Sequence, residues 1–367
     1  MQRLLSLCFG LLFAQSGRYW DSLFTWRVET VTYGSATNAF GTLQTLRADF
    51  YLPEPDNETS RPVIVLLFGG GYISGSRNDA DITHLARYFA ARGYVAATID
   101  YRIGMTLPTA TEWIKAGTRA VHDLKAFIRY LKKSVVSNGN PYGIDTARIY
   151  VGGSSAGAVT ALHAAFLSST AELSEVPEAD TTFISTQGGL EGNSGNPGYS
   201  SRFSGVFSLS GGILRTSWIS ANETPAVIAM HGTGDATVPY KSGLLPFISL
   251  SVEGGYNIDS VAALRGLYHA LFTWQALGHV PYGTQTSVNP LYMKDVEEFL
   301  RFHFYQWNSR FATSINTPTS RTYDPASRYQ VWSIDGRYVG EMTIDELPQG
   351  VWALRHPTGH IQRVFRP

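Results

Sequence analysis

Short apolar runs alternate along the chain with longer stretches in which apolar positions recur every three or four residues. The runs at 63–68, 94–99, 148–151, 206–209 and 226–230 lack the polar alternation of a half-exposed strand. They predict strands buried on both faces. Between them, residues 79–92 place Leu85, Tyr88 and Phe89 on one helical face, and residues 117–133 do the same with Val121, Leu124, Phe127, Ile128 and Leu131. A last helix is predicted near 293–307, and a late strand at 270–276. Buried strands alternating with such helices imply a mostly parallel central sheet flanked by helices, an α/β class. Residues 28–52 alternate imperfectly and are rich in Val, Thr and Tyr, which predicts an antiparallel entry hairpin ahead of the parallel core.

Two segments depart from this pattern. Residues 170–203 carry the run 188–198, too glycine-rich for an ordinary helix. They read either as a loop that shapes a pocket near the carboxyl edge of the sheet or as a simple surface insertion. Residues 309–325 are polar, with two prolines, and read as a linker. Beyond it, residues 329–340 predict a strand, an Asp335-Gly336 hairpin turn and a second strand, with further strands at 350–355 and 361–365. The tail 326–367 is therefore expected to be a small all-β module.

The chemistry begins where the strand at 148–151 ends. Gly153-Ser154-Ser155-Ala156-Gly157 fits G-x-S-x-G, followed by the helix-forming run 158–162. In that strand–turn–helix frame Ser155, not Ser154, sits at the tip of a strained turn above a helix N-terminus. The competing reading is a plain glycine-rich turn. A nucleophilic serine needs a base, an acid and an oxyanion hole. His279, in Gly278-His279-Val280 beyond the predicted late strand, is the candidate base, with a solvated loop histidine as the alternative. Asp235 follows a buried strand and the turn Gly232-Thr233-Gly234, and is the candidate acid, with a local Asx-turn as the alternative. His231, at the strand end, is expected to pack or hydrogen-bond behind the acid. Gly69-Gly70-Gly71, directly after the strand at 63–68, leave amides free to point into a cavity, and Ala156 supplies another. A flexible turn competes with that reading. A phosphate-binding loop does not, because neither G-x-x-x-x-G-K-[S/T] nor a helix-opening G-x-G-x-x-G is present.

Together these segments resemble the α/β-hydrolases of the carboxylesterase and lipase type, over residues 28–308. Residues 67–75 resemble that family's oxyanion loop, with Phe68 where one branch has His. The resemblance implies Gly70 and Gly71 as loop donors, Ser155 as nucleophile, Asp235 as acid and His279 as base. It also marks residues 99–102 and 119–124 as structural segments. The tail resembles the C-terminal sorting domain of the Bacteroidetes type IX secretion system, which implies that secretion machinery as a partner. A small carbohydrate-binding or structural β module is the other reading.

Composition adds location and exclusions. Met1-Gln2-Arg3, the apolar run 4–14 and Ala14-Gln15-Ser16 read as a signal peptide cleaved after Ala14. The run is too short for a membrane span. The expected organisation is a signal peptide (1–14), a catalytic domain (15–308), a linker (309–325) and a β sorting or attachment domain (326–367). Such a product is secreted or held on the outer-membrane surface. Cys8, the one cysteine, lies inside the leader, so a mature chain has no disulfide. With 29 Lys plus Arg against 29 Asp plus Glu, charge gives no support for nucleic-acid binding. Nine scattered His without H-E-x-x-H give none for a metal, and no cofactor is expected. The expected function is hydrolysis of a small-molecule or polysaccharide-linked carboxylic ester through an acyl-enzyme. A serine peptidase or lipase shares the machinery, and a non-catalytic surface-binding protein could share the scaffold.

Overall fold

The computed structural model describes residues 17–220 and 226–313, together with 329–333, 338–343, 346, 350–355 and 361–366. The expected leader, with Cys8, and residues 314–325 of the expected linker lie outside the described residues. The chain divides into two compact units, residues 1–312 and 313–367.

In the first unit, strands β1 (Thr25–Thr37) and β2 (Leu43–Glu54) form the entry hairpin. There follow β3 (Arg61–Leu67), helix α1 (Ala80–Ala90), β4 (Val95–Ile99), α2 (Ala110–Ser137), β5 (Ile144–Ser154) and α3 (Ala156–Phe166). A short helix α4 (Thr181–Thr186) lies in the glycine-rich insertion. Next come β6 (Gly205–Leu209), β7 (Gly212–Ile213), β8 (Ala226–Gly232), β9 (Ser242–Leu245), β10 (Leu250–Gly254), α5 (Gly255–Leu264), β11 (Tyr268–Trp274) and α6 (Pro290–Thr313). The main sheet has eight strands in the order β1-β2-β4-β3-β5-β6-β8-β11. Its β1–β2 and β2–β4 pairings are antiparallel, and every pairing from β4 to β11 is parallel. The β3, β4 and β6 strands are buried throughout, as their mainly apolar runs require of strands covered on both faces.

Two helices exceed their periodic signal. Helix α2 starts seven residues before position 117, at Ala110, because Thr109 caps it: its side chain accepts the Glu112 N–H. Helix α6 continues to Thr313, so the first residues of the expected linker are helical. Near its end, the Asn308 amide bridges the hydroxyls of Tyr94 and Tyr150 at 2.9 and 2.8 Å, fixing the helix to the sheet. A second, three-stranded antiparallel sheet, β7-β10-β9, was not apparent from periodicity. Its two-residue strand β7 is too short to show an alternation.

The second unit holds β12 (Tyr329–Ser333), β13 (Tyr338–Met342), β14 (Gly350–Arg355) and β15 (Ile361–Arg366). They form an antiparallel sheet in the order β13-β12-β14-β15. This is the small all-β module expected from the hairpin signals.

Candidate active site

Parallel strands send all their carboxyl ends to one edge, and loops leaving that edge converge. The loops after β3, β5, β8 and β11 carry Gly69–Gly71, Ser155, Asp235 and His279 respectively. The strands lie side by side in the sheet with only β6 interposed.

Ser155 joins β5 to α3 with φ 50° and ψ −116°, a backbone conformation that lifts the side chain above the turn. The turn passes close under the end of β3. A Cβ on Gly157 would come to 2.5 Å from the Phe68 carbonyl oxygen, so no larger residue fits there. The Ser155 N–H donates to the Leu209 carbonyl at 2.9 Å, which ties the tip to β6. Ser154 is buried, and its Oγ is bonded to the Tyr282 hydroxyl at 2.8 Å, away from the cleft side chains.

His279 stands over Ser155, with Nε2 at 2.8 Å from Ser155 Oγ and Nδ1 at 2.7 Å from Asp235 Oδ2. The carboxylate is an acceptor, so Nδ1 carries the proton and Nε2 is left to accept from the serine hydroxyl. Asp235 is anchored from behind. Its Oδ1 accepts the N–H groups of Thr237 and Val238 at 2.8 and 2.9 Å. His231 accepts the Gly255 N–H at Nδ1, so its Nε2 carries the proton and lies 3.2 Å from Asp235 Oδ2 and 3.0 Å from the Val238 oxygen. His231 is therefore packed behind Asp235. Burial alone would raise the Asp235 pKa, but hydrogen bonds from His231 and His279 outweigh it and hold the carboxyl well below its usual range.

The glycine loop runs beside the elbow. A Cβ on Gly69 would lie 3.4 Å from Ser155 Cβ. Gly70 and Gly71 have φ values of 101° and 64°, the left-handed region that favours glycine. The Gly70 carbonyl accepts from Ile73 and Ser74 at 3.0 and 3.2 Å. In a trans peptide the next N–H points the opposite way, so the Gly71 amide faces away from that turn. Ala156 is the first residue of α3, whose opening amides have no acceptor within the helix. Tyr72, fully buried, locks loop to elbow: its hydroxyl donates to the Ala156 carbonyl at 3.2 Å and lies 3.0 Å from Thr160 Oγ1. Nothing in the local pattern singles out this tyrosine, because its partners are 84 and 88 residues away. Phe68 stacks on Tyr101 at 4.0 Å, and the Tyr101 hydroxyl donates to the Phe68 carbonyl at 2.8 Å.

The insertion is built into the structure. Ser194 donates to Asp123 at 2.6 Å, within the buried pair Arg102–Asp123. Glu191 pairs with Lys125 and Arg129 at 3.0 Å each, and His122 Nε2 donates to the Gly189 carbonyl at 2.7 Å. Leu173, Ile184 and Leu190 roof a cavity of about 40 Å³ that also touches Tyr72, Trp113 and Val159. Burial holds the two histidines on its wall, His122 and His163, down to about 4, so both are neutral. Among the described residues no His, Cys, Asp and Glu group could hold a metal, and no helix is long and apolar enough to cross a membrane.

A family model described as BD-FAE matches residues 48–188. Gut esterase 1 of Caenorhabditis elegans is 29% identical over 109 residues, which is 29% of this chain and 18% of that protein. The chain thus matches less than a fifth of that relative's length. Esterase 2 of Thermogutta terrifontis phosphorylated by paraoxon superposes with a TM-score of 0.52 at 22% identity, over 80% of this chain and 96% of that one. Its butyrate-bound form gives 0.53 at 20% identity over the same shares. With the parallel sheet, the strand–turn–helix at Ser155 after β5 and the loops of Gly69–Gly71, Asp235 and His279 at the same sheet edge, these likenesses establish that the chain has the α/β-hydrolase fold.

Proposed function

We propose that the protein is a serine carboxylesterase with Ser155 as nucleophile, His279 as general base and acid, and Asp235 as the group that orients His279. The observation that carries this reading is the continuous chain Asp235–His279–Ser155 at 2.7 and 2.8 Å beside the glycine loop. Ser155 Oγ attacks the ester carbonyl carbon as His279 Nε2 takes the hydroxyl proton. The carbonyl oxygen gains the negative charge, and the amides of Gly70, Gly71 and Ala156 stabilise it, each worth roughly 3 kcal/mol in such sites. Collapse breaks the bond to the alcohol oxygen, which takes the proton from His279. Water then attacks the acyl-serine with His279 again as base, and Ser155 recovers its proton. The Asp235 carboxylate stays ionised and stabilises the imidazolium in both steps. The names of the curated relative and of the similar solved structures support ester hydrolysis over peptide hydrolysis.

The catalytic unit in this reading is residues 15–308. The separate four-stranded sheet supports a sorting or surface-attachment role for 326–367, and together with the leader expected at 1–14 it supports the reading of an enzyme that acts outside the cell. The test of the active site is covalent. A serine-directed fluorescent phosphonate should label the wild type once per chain, and Ser155→Ala should abolish both labelling and turnover of short-acyl esters. Stoichiometric labelling of a folded Ser155→Ala would defeat the assignment.

A further inference from the structure

A loop histidine keeps its aim only as well as its loop is anchored. Between Trp274 and Tyr282, Ala276 and Val280 have φ values of 58° and 44°, conformations these side chains do not choose alone. The anchor is Tyr282, fully buried, with its ring centroid 5.8 Å from that of Trp274. Its carbonyl accepts the Asn289 N–H at 2.9 Å. Its hydroxyl reaches beneath the elbow, donating to the Leu209 carbonyl at 3.2 Å and lying 2.8 Å from Ser154 Oγ. The same Leu209 oxygen accepts the N–H of Ser155 at 2.9 Å. One carbonyl oxygen thus holds both the backbone of the serine and the loop of the histidine.

The network closes on the far side. Asp81, buried in the first turn of α1, lies on that side. Asp81 Oδ1 accepts the Ile82 N–H at 2.8 Å. Gly283, next to Tyr282, packs on the same residue: a Cβ there would lie 3.4 Å from Asp81 Cβ. A phenylalanine at 282 would fill the space of the ring but make neither link to the elbow.

Resting on the reading of Ser155 and His279 as nucleophile and base, we infer that the Tyr282 hydroxyl is a positioning group. Through the Leu209 oxygen and Ser154 it sets the register of His279 Nε2 against Ser155 Oγ. It touches no substrate. Its loss lets the base loop drift by a fraction of an ångström, and a misplacement near 1 Å costs about 100-fold in rate.

The experiment uses the full chain with Tyr282→Phe, Ser154→Ala and both together. kcat is expressed per active site titrated with the phosphonate, so that a loss of folded protein does not count as a loss of rate. Tyr282→Phe should lower per-site kcat about 10- to 100-fold with KM within about twofold, because substrate contacts are untouched. Ser154→Ala should lower it in the same direction, and the double variant should be no slower than Tyr282→Phe, as expected for one shared network. Wild-type per-site kcat in Tyr282→Phe, a fall confined to the titratable fraction, or losses that multiply in the double variant would each overturn the inference. If Tyr282→Phe yields no folded protein, Ser154→Ala decides: a lower per-site kcat supports the inference and an unchanged one overturns it. A wild type that does not label at Ser155 overturns both readings. A wild type that labels, with a full-speed Tyr282→Phe, overturns this inference alone.

Discussion

Replacing Asp235 by Asn exchanges one carboxylate oxygen for an amide nitrogen without changing shape, and the surroundings dictate where that nitrogen goes. Oδ1 receives two backbone N–H groups, from Thr237 and Val238. Turning the NH₂ toward them would leave the buried Val238 donor unpaired, at about 1–3 kcal/mol, and the part-buried Thr237 donor too, at a smaller cost. Turning it toward His279 and His231 costs less. His231 keeps the Val238 oxygen at 3.0 Å as acceptor, and His279 can move its proton from Nδ1 to Nε2. The variant therefore prefers an imidazole whose Nε2 faces Ser155 as a donor and cannot take its proton. Reaching the productive arrangement costs about 3–5 kcal/mol, which corresponds to a fall in kcat of roughly 10²–10⁴. Steady-state hydrolysis of a chromogenic short-acyl ester measures kcat, with circular dichroism and thermal unfolding as controls for folding. A folded Asp235→Asn that retained more than a tenth of wild-type kcat would refute the tautomer reasoning.

Acid should destabilise the fold before the carboxylates at large titrate. His122 and His163 sit near 4 in the fold against 6.5 unfolded, so from 6.5 downward the unfolded chain takes up two protons that the native state refuses. Each costs up to about 3 kcal/mol by pH 4. Asp81, raised by burial to about 6, works the other way, stabilising as pH falls from 6 toward its ordinary 3.8. Urea midpoints should fall between pH 6.5 and 5, and the double variant His122→Gln/His163→Gln should lose that fall. A wild-type midpoint that stays flat or rises would refute the assignment. Asp123→Ala strands the buried Arg102 guanidinium, which contacts Asp123 at 2.9 Å, and should lose about 3–5 kcal/mol in chemical unfolding. Arg102→Met with Asp123→Leu, which leaves no buried charge, should lose less. Equal losses would show that packing, not the stranded charge, sets the cost.

Much of this molecule is written locally. The strands at 63–68 and 226–230 are apolar along their whole length, and no other element buries both faces of so short a run. The elbow is legible locally, because Gly153, Ser155 and Gly157 fall within five residues, although what forbids a Cβ at the two glycines is the end of β3 at Leu67 and Phe68. Asp235 and His279 are legible by their positions after strand ends, where a parallel sheet gathers its loops. Other features leave no local trace. The first two turns of α2 are stabilised by the Thr109 cap and by burial of Trp113 and Ile114, and carry little periodic signal of their own. The insertion could be read as pocket wall or surface loop until its ion pairs to Lys125 and Arg129 and the cavity beneath it were seen.

By itself the sequence determined the layer order of the fold and which side chains stand at the carboxyl edge of the sheet, because strand runs, helix faces and turn residues are written within a few neighbouring positions. Only the tertiary structure decided how those side chains are aimed. His279 meets Ser155 across 124 residues, and Tyr282 meets Ser154 across 128. Contacts of that separation depend on the packing of whole strands and loops, and no periodicity along the chain encodes an approach of 2.8 Å.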